Sequence, residues 1–215
     1  NLKILEDRGV IIVEPDSGYL ACGEEGAGRL AEPEKVVEGV LSTLKNEKSL
    51  LGKRILITAG PTIEDIDPVR FISNRSSGKM GYSIAREAHS RGAQVVLVSG
   101  PCQLEVPVGV ELVKIRSASE MARVVFERAE DVDVVVMAAA VSDYSPDQTS
   151  LQKIKKSNAE MVISLKRTVD ILGALGEKDN QPFLVGFAAE SDDLHTESQK
   201  KLQEKKLDLI VGNNI

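Results

Sequence analysis

The sequence predicts an α/β fold, a doubly wound, mostly parallel Rossmann-like sheet with helices on both faces. Three observations predict it. Short apolar runs recur at residues 54–59, 94–99, 110–115, 132–138 and 183–188. Helical patterns separate most of them, as in a chain of βαβ units. The runs are near-continuous rather than alternating, which suits parallel strands covered on both faces. Aromatic residues make up only 3% of the chain and Trp is absent, so Val, Ile, Leu and Ala must fill the core.

In order, residues 1–8 read as the tail of a helix and 10–14 (VIIVE) as a short strand. Residues 15–35 follow, with Gly18, Gly23, Gly26 and Gly28 making a flexible loop that can approach a ligand closely. Cys22 in that loop is either a reactive thiol or a small buried hydrophobe. Pro33 opens a helix to about residue 46, with Val36, Val37, Val40, Leu41 and Leu44 on its apolar side. Residues 46–52 are the linker, and a boundary near Ser49 divides the chain into domains 1–48 and 49–215.

The second domain starts with a strand ended by Gly60-Pro61. Its helix places Met80, Ile84, Ala85 and Ala88 on one face and stops at Arg91-Gly92. The connection between them, residues 60–78, is long for a strand-to-helix loop and carries charges of both signs. Ligands bind beyond the carboxyl ends of such strands, so this loop is read as functional, the alternative being a decorative insertion. Ser76, Ser77 and Gly78 at the helix start would offer N–H groups and a favourable dipole to an anion. After strand 110–115, Ser117 and Glu120 form a capping box for a helix to about Arg128. Strand 132–138 is the most hydrophobic and should be central.

Ala138, Ala139 and Ala140 end that strand and let backbone approach a ligand; Asp143 could bind Mg²⁺ or a ligand hydroxyl. Lys153, Lys155 and Lys156 suit a triphosphate, or are a solvated charge run. Residues 161–167 read as an edge strand, with Thr168 capping a helix over 169–175. Phe187, near the end of strand 183–188, packs on a base or fills the core. A charged helix over 190–206 and a last strand over 207–211 follow, leaving the sheet uncovered on one side, as if residues were missing.

The net charge of −6 argues against broad nucleic-acid binding. Cys22 and Cys102 suggest neither a disulfide framework nor a zinc site, and a reducing cytoplasm is the simplest setting. No apolar run approaches about 18 residues, so no transmembrane helix is expected. The opening residues do not read as a signal peptide, and without Met they read as an interior stretch. A nicotinamide-dependent oxidoreductase is the alternative on such a sheet. The chain lacks GxGxxG after its strand and a ribose-reading acid after Val98-Ser99-Gly100, which counts against it.

The segments TAGPTIEDIDPVRFISNRSSGKMG, AAAVSDY, KIKK, VGFAAE and KLQEKKLDLIVGN occur in order from about residue 53 to 215. Together they resemble the bacterial phosphopantothenate–cysteine ligases. PDSGYLACGEEGAGR resembles the closing segment of the phosphopantothenoylcysteine decarboxylases, the first half of a bifunctional coenzyme A biosynthesis protein. The resemblance implies that CTP activates 4′-phosphopantothenate as an acyl-cytidylate, which the amine of L-cysteine then attacks. It puts Arg70, Asn74, Ala139 and Ala140 at the phosphopantothenate site, with Asn74 acting on the acyl-cytidylate. It puts Lys153 on the triphosphate with Lys156 nearby, and Asp143 on nucleotide or cation. Met137, Ala138, Ala139, Val169, Asp170, Ile171, Leu172, Phe187, Lys201 and Lys205 would form the CTP pocket, with Ser76, Ser77 and Gly78 on the anion side. Val169 stands where the family is associated with proline, and a carboxyl-terminal extension of the family is absent. Cys22 matches the decarboxylase's proton donor, but the FMN fold is not in this chain, so no decarboxylation is expected from it alone. The expected state is a cytoplasmic homodimer through the ligase part, forming a higher oligomer with a full decarboxylase half, and binding neither nucleic acid nor membrane.

Overall fold

A computed structural model describes residues 2–19, 25–44, 48–155, 161–190 and 193–214. Cys22 and Lys156 lie outside the described residues. The chain divides into two compact units, Asn1–Lys48 and Ser49–Ile215.

The first unit contains α1 (Leu2–Asp7), β1 (Asp16–Tyr19), β2 (Glu25–Arg29) and α2 (Pro33–Leu44). β1 and β2 pair antiparallel. The expected strand over 10–14 is not formed, because the hairpin partner of β2 is the next stretch, Asp16–Tyr19. Asp16 then ties the hairpin to α2, accepting from Lys35 Nζ at 2.7 Å and from Glu32 N–H at 3.0 Å. The Lys35 hydrogen bond, helped by the Glu32 N–H, holds the Asp16 carboxyl below its ordinary range. Val37 and Val40 of α2 remain half exposed.

The second unit contains β3 (Arg54–Ala59), β4 (Ile63–Asp65), β5 (Phe71–Ser73), α3 (Lys79–Ser90), β6 (Gln94–Ser99), β7 (Glu111–Lys114), α4 (Ala118–Ala129) and β8 (Val134–Met137). After these come β9 (Tyr144–Pro146), β10 (Leu165–Arg167), α5 (Ile171–Gly176), β11 (Phe183–Glu190), α6 (Leu194–Glu204) and β12 (Leu209–Asn214). Six strands form one parallel sheet in the order β12-β11-β8-β3-β6-β7. Numbered within the sheet this is 6-5-4-1-2-3, the doubly wound order, with its switch point between β3 and β8. The run 132–138, expected to be central, supplies β8, which is central. β12 is an edge strand, and most of its residues are exposed.

Successive residues of β3 serve opposite faces. Leu56 packs with Val98, Met121, Val125, Val135, Leu175 and Leu184, while Ile55 and Ile57 pack with Tyr82, Ala85, Ala88 and Leu97. Leu56 and Leu97 are fully buried, which contributes roughly 2 kcal/mol each. α3 lies on one face and α4 and α5 on the other. Gly81 lets α3 approach β3, since a Cβ there would lie 2.6 Å from Ala59 Cβ and 2.7 Å from Thr58 O.

Further expectations need correction. Loop 60–78 is built around the antiparallel hairpin β4–β5. The edge strand expected over 161–167 is only β10, paired antiparallel with β9 away from the main sheet. Thr168 does not cap α5; its hydroxyl donates to Ser142 O at 2.6 Å, and Asp170 accepts from Gly173 N–H at 3.1 Å as the cap. At α4, Ser117 Oγ accepts from Glu120 N–H as expected, but Glu120 reaches back to Arg116 N–H rather than to Ser117.

Candidate active site

Two buried threonines organise the carboxyl ends of β3 and β8. Thr58 Oγ1 accepts from Ala139 N–H at 3.1 Å, and Thr62 Oγ1 from Ser142 N–H at 3.0 Å. Between them, Ala140 N–H donates to Gly60 O at 2.9 Å and Thr62 N–H to Ala140 O at 3.3 Å. The N–H groups of Ala139 and Ala140 are therefore used within the fold, so these residues do not offer them to a ligand. Sequence reasoning missed both threonines as site residues. Their signal is a hydroxyl at the end of an apolar strand, where a buried polar group needs a partner.

Asn74 is fixed to the same loop. Its Nδ2 donates to Val141 O at 3.0 Å and Ala140 O at 3.4 Å. Both amide protons are spent on carbonyls, which leaves Oδ1, an acceptor, to face chemistry.

A cavity of about 560 Å³ opens beside this loop, at the ends of β8 and β11. Met137, Ala139, Asp143, Val169, Asp170, Ile171, Leu172, Phe187, Lys201 and Lys205 all line it, so most of the expected nucleotide residues meet in one place. Arg167 also lines it and was not anticipated. Three cations face two carboxylates here, a surplus that suits phosphate oxygens. Lys205 Nζ donates to Asp170 Oδ1 at 2.8 Å, and Lys201 Nζ donates to Phe187 O at 2.9 Å. Burial pushes the Asp170 carboxyl up, but Lys205 and the Gly173 N–H outweigh it and lower it below the ordinary value. Phe187 both lines the cavity and packs on the α3-side core.

Other expected residues lie elsewhere. Ala138 packs against the core rather than lining the cavity. Gly78 caps α3 in the left-handed region (φ 76°), and the N–H groups of Gly78 and Lys79 are met by Ser76 Oγ at 3.3 Å and Ser77 Oγ at 3.4 Å. This helix start adjoins Gly60, outside the cavity lining. Cys102 Sγ fills the space against Gly60 and Gly78. A dinucleotide-binding sheet takes its pyrophosphate at the turn after the first strand, so the thiol counts further against a nicotinamide cofactor. Lys153 is exposed and outside the cavity lining. Arg70 donates to Asp67 Oδ2 through Nε at 3.0 Å and to Ile154 O through a terminal nitrogen at 2.6 Å, so its guanidinium is tied into the scaffold.

Hairpin β4–β5 is anchored from the far side. Arg116 pairs with both oxygens of Asp65, at 2.7 and 2.8 Å, and Glu64 Oε1 accepts from Ala118 N–H at 2.8 Å at the start of α4. The Arg116 hydrogen bonds hold the Asp65 carboxyl below its ordinary range. Among the described residues, no three His, Cys, Asp or Glu side chains cluster to hold a metal. Asp143 at the cavity fits Mg²⁺, which commonly takes one or two carboxylates plus substrate phosphates and water. No helix among the described residues is long and apolar enough to cross a membrane.

Comparison with known proteins matches this geometry to a family. The chain is 47% identical over its whole length to the coenzyme A biosynthesis bifunctional protein CoaBC of Bacillus subtilis (strain 168), covering 54% of that relative. It is 48% identical to a cysteine/cysteine sulfinic acid decarboxylase from an unknown prokaryotic organism, covering 62% of it. The chain thus spans little more than half the length of such relatives. The crystal structure of the C-terminal domain of a coenzyme A biosynthesis bifunctional protein CoaBC is similar, with a TM-score of 0.70 and 49% identity, over 78% of this chain and 80% of that one. Residues 50–215 match the DNA/pantothenate metabolism flavoprotein C-terminal domain, and the chain belongs to that family.

Proposed function

We propose that residues 49–215 form a CTP-dependent ligase joining 4′-phosphopantothenate to L-cysteine. The observation that carries this reading is the cavity in which Arg167, Lys201 and Lys205 surround Asp143 and Asp170 beside the Thr58- and Thr62-braced loop. The likeness to CoaBC proteins supports the same reading.

The reaction has two steps. A carboxylate oxygen of phosphopantothenate attacks the α-phosphorus of CTP and pyrophosphate leaves. The cysteine amine then attacks the acyl carbon, CMP leaves with the bridging oxygen, and the amine loses a proton. The first step brings two anions together, so neutralising charge is the main task. Arg167, Lys201 and Lys205 supply it from the cavity wall, and Lys153 and Lys156 from a second segment. Asp143 would hold Mg²⁺, whose chemistry is to neutralise phosphate charge. Asn74 Oδ1, aimed by its two Nδ2 contacts, accepts from the attacking amine and orients it.

Residues 1–48 belong, on this reading, to a flavin-dependent decarboxylase domain whose FMN site lies outside this chain, with Cys22 as proton donor. The half-exposed Val37 and Val40 of α2 support a larger domain around them. The ligase part forms a homodimer in the cytoplasm. Val69, Phe71, Tyr144, Leu151 and Val162 form an exposed apolar set on and beside the two hairpins, which suits a second copy.

The test is pyrophosphate release with CTP, phosphopantothenate and cysteine, with ATP as competitor. Release must require phosphopantothenate and fall in Lys153→Ala. Release without phosphopantothenate, or an unaffected variant, overturns the mechanism.

A further inference from the structure

The segment carrying Lys153 is fastened along the turn of hairpin β4–β5. Thr149 Oγ1 donates to Asp65 O at 3.0 Å, and Ser150 N–H donates to Ile66 O at 2.9 Å. The last fastening takes both main-chain polar groups of Ile154, the residue after Lys153. Ile154 N–H donates to Asp67 Oδ2 at 3.1 Å, and Ile154 O accepts from Arg70 at 2.6 Å.

Asp67 is only 1% exposed, and its two oxygens divide their work. Oδ1 accepts from the N–H groups of Val69 and Arg70, both at 2.8 Å, and so closes its own turn. Oδ2 accepts from Arg70 Nε at 3.0 Å and from Ile154 N–H. The turn needs only Oδ1. Oδ2 and the Arg70 guanidinium together hold the N–H and the C=O of one residue, and that residue belongs to a segment more than 80 residues away in sequence.

Resting on the ligase reading above, we propose that Asp67 is a positioning residue for Lys153. Through Ile154 and Arg70 it fixes where the lysine leaves the scaffold, so that the ammonium reaches the triphosphate without first ordering its own backbone. Arg70, which holds Ile154 O, then also serves the reaction through Lys153.

Asp67→Asn separates the two tasks. The amide oxygen can still close the turn, while its NH₂ faces the Ile154 N–H and Arg70, donor against donor. In the full chain, the kcat of CTP- and phosphopantothenate-dependent pyrophosphate release should fall about 10- to 100-fold, the loss expected for one charge-assisted hydrogen bond. The KM for cysteine should stay unchanged. Amide hydrogen exchange at Ser150 and Ile154 should accelerate. In Lys153→Ala, adding Asp67→Asn should cost little more, because both changes remove one contribution. Thr149→Val, at an exposed position, loosens the same segment without a buried change and should give a smaller loss in the same direction. Additive losses in the double variant, or unchanged exchange at Ile154, overturn the proposal. A Lys153→Ala protein with full activity overturns the ligase reading instead, and the exchange measurement still decides whether Asp67 fixes the segment.

Discussion

Lys205 Nζ and the Gly173 N–H converge on one oxygen of Asp170, at 2.8 and 3.1 Å. A single carboxylate therefore starts α5 and balances a cation of the cavity wall. Asp170→Asn keeps a capping oxygen but removes the charge, whereas Asp170→Ala removes both. The alanine variant is expected to lose about 1 kcal/mol of stability in urea unfolding, and the asparagine variant only a few tenths. With Lys205 uncompensated, Asp170→Asn should also be inhibited more strongly by inorganic pyrophosphate, measured in the ligation assay.

Thr58→Val is nearly isosteric but strands the Ala139 N–H, which donates to the Thr58 hydroxyl. The loss is expected to be about 1–3 kcal/mol in denaturant unfolding. Thr58→Ser keeps the acceptor and should retain CTP affinity by calorimetry, while valine weakens it.

Asp67 gives a pH signature. Burial would raise its carboxyl, but the N–H groups of Val69, Ile154 and Arg70 and the Arg70 side chain lower it to about 2, from 3.8. A depressed folded value stabilises the protein above the unfolded value and is lost as pH falls through the folded one. The stability difference between wild type and Asp67→Asn should be constant above pH 3.8 and shrink between there and pH 2, followed by circular dichroism in urea.

Gly81→Ala and Gly100→Ala probe how closely the elements approach. The alanine Cβ at 81 meets Thr58 O at 2.7 Å, and at 100 it overlaps Pro61 O. Overpacking of this kind is expected to cost about 1–3 kcal/mol at Gly81, with a larger loss at Gly100, where backbone must move. Thermal unfolding of the two variants is compared with that of Gly52→Ala, whose new Cβ would meet nothing within 4 Å but whose φ is +79°. The comparison separates crowding from backbone strain.

The strands of the main sheet were legible because burial on both faces demands continuous apolar runs, as in Ile55, Leu56 and Ile57. Strands β4, β5 and β9 were not, because strands of three residues bury too little to leave a pattern, and of the strand expected over 161–167 only β10 forms. The run over 10–14 looked like a strand, but apolar character does not supply a ladder partner. Much of the cavity wall was legible through resemblance. Asp67 was not, although Asp67-Pro68-Val69-Arg70 carries a turn signal, an Asp whose side chain can take N–H groups two and three residues on. Its second task depends on Ile154, and no local pattern carries a contact over that distance.

The stitching between the loops after β3 and β8 has a thermodynamic consequence. Asn74, Thr58 and Thr62 join those loops with hydrogen bonds made wholly within the protein. Ordering of this half of the site belongs to folding, not to association. Heat-capacity and entropy changes on substrate binding should therefore report mainly the Lys153 segment and dehydration of the cavity, and a rigid mimic of the acyl-cytidylate should gain affinity chiefly from what it saves that segment.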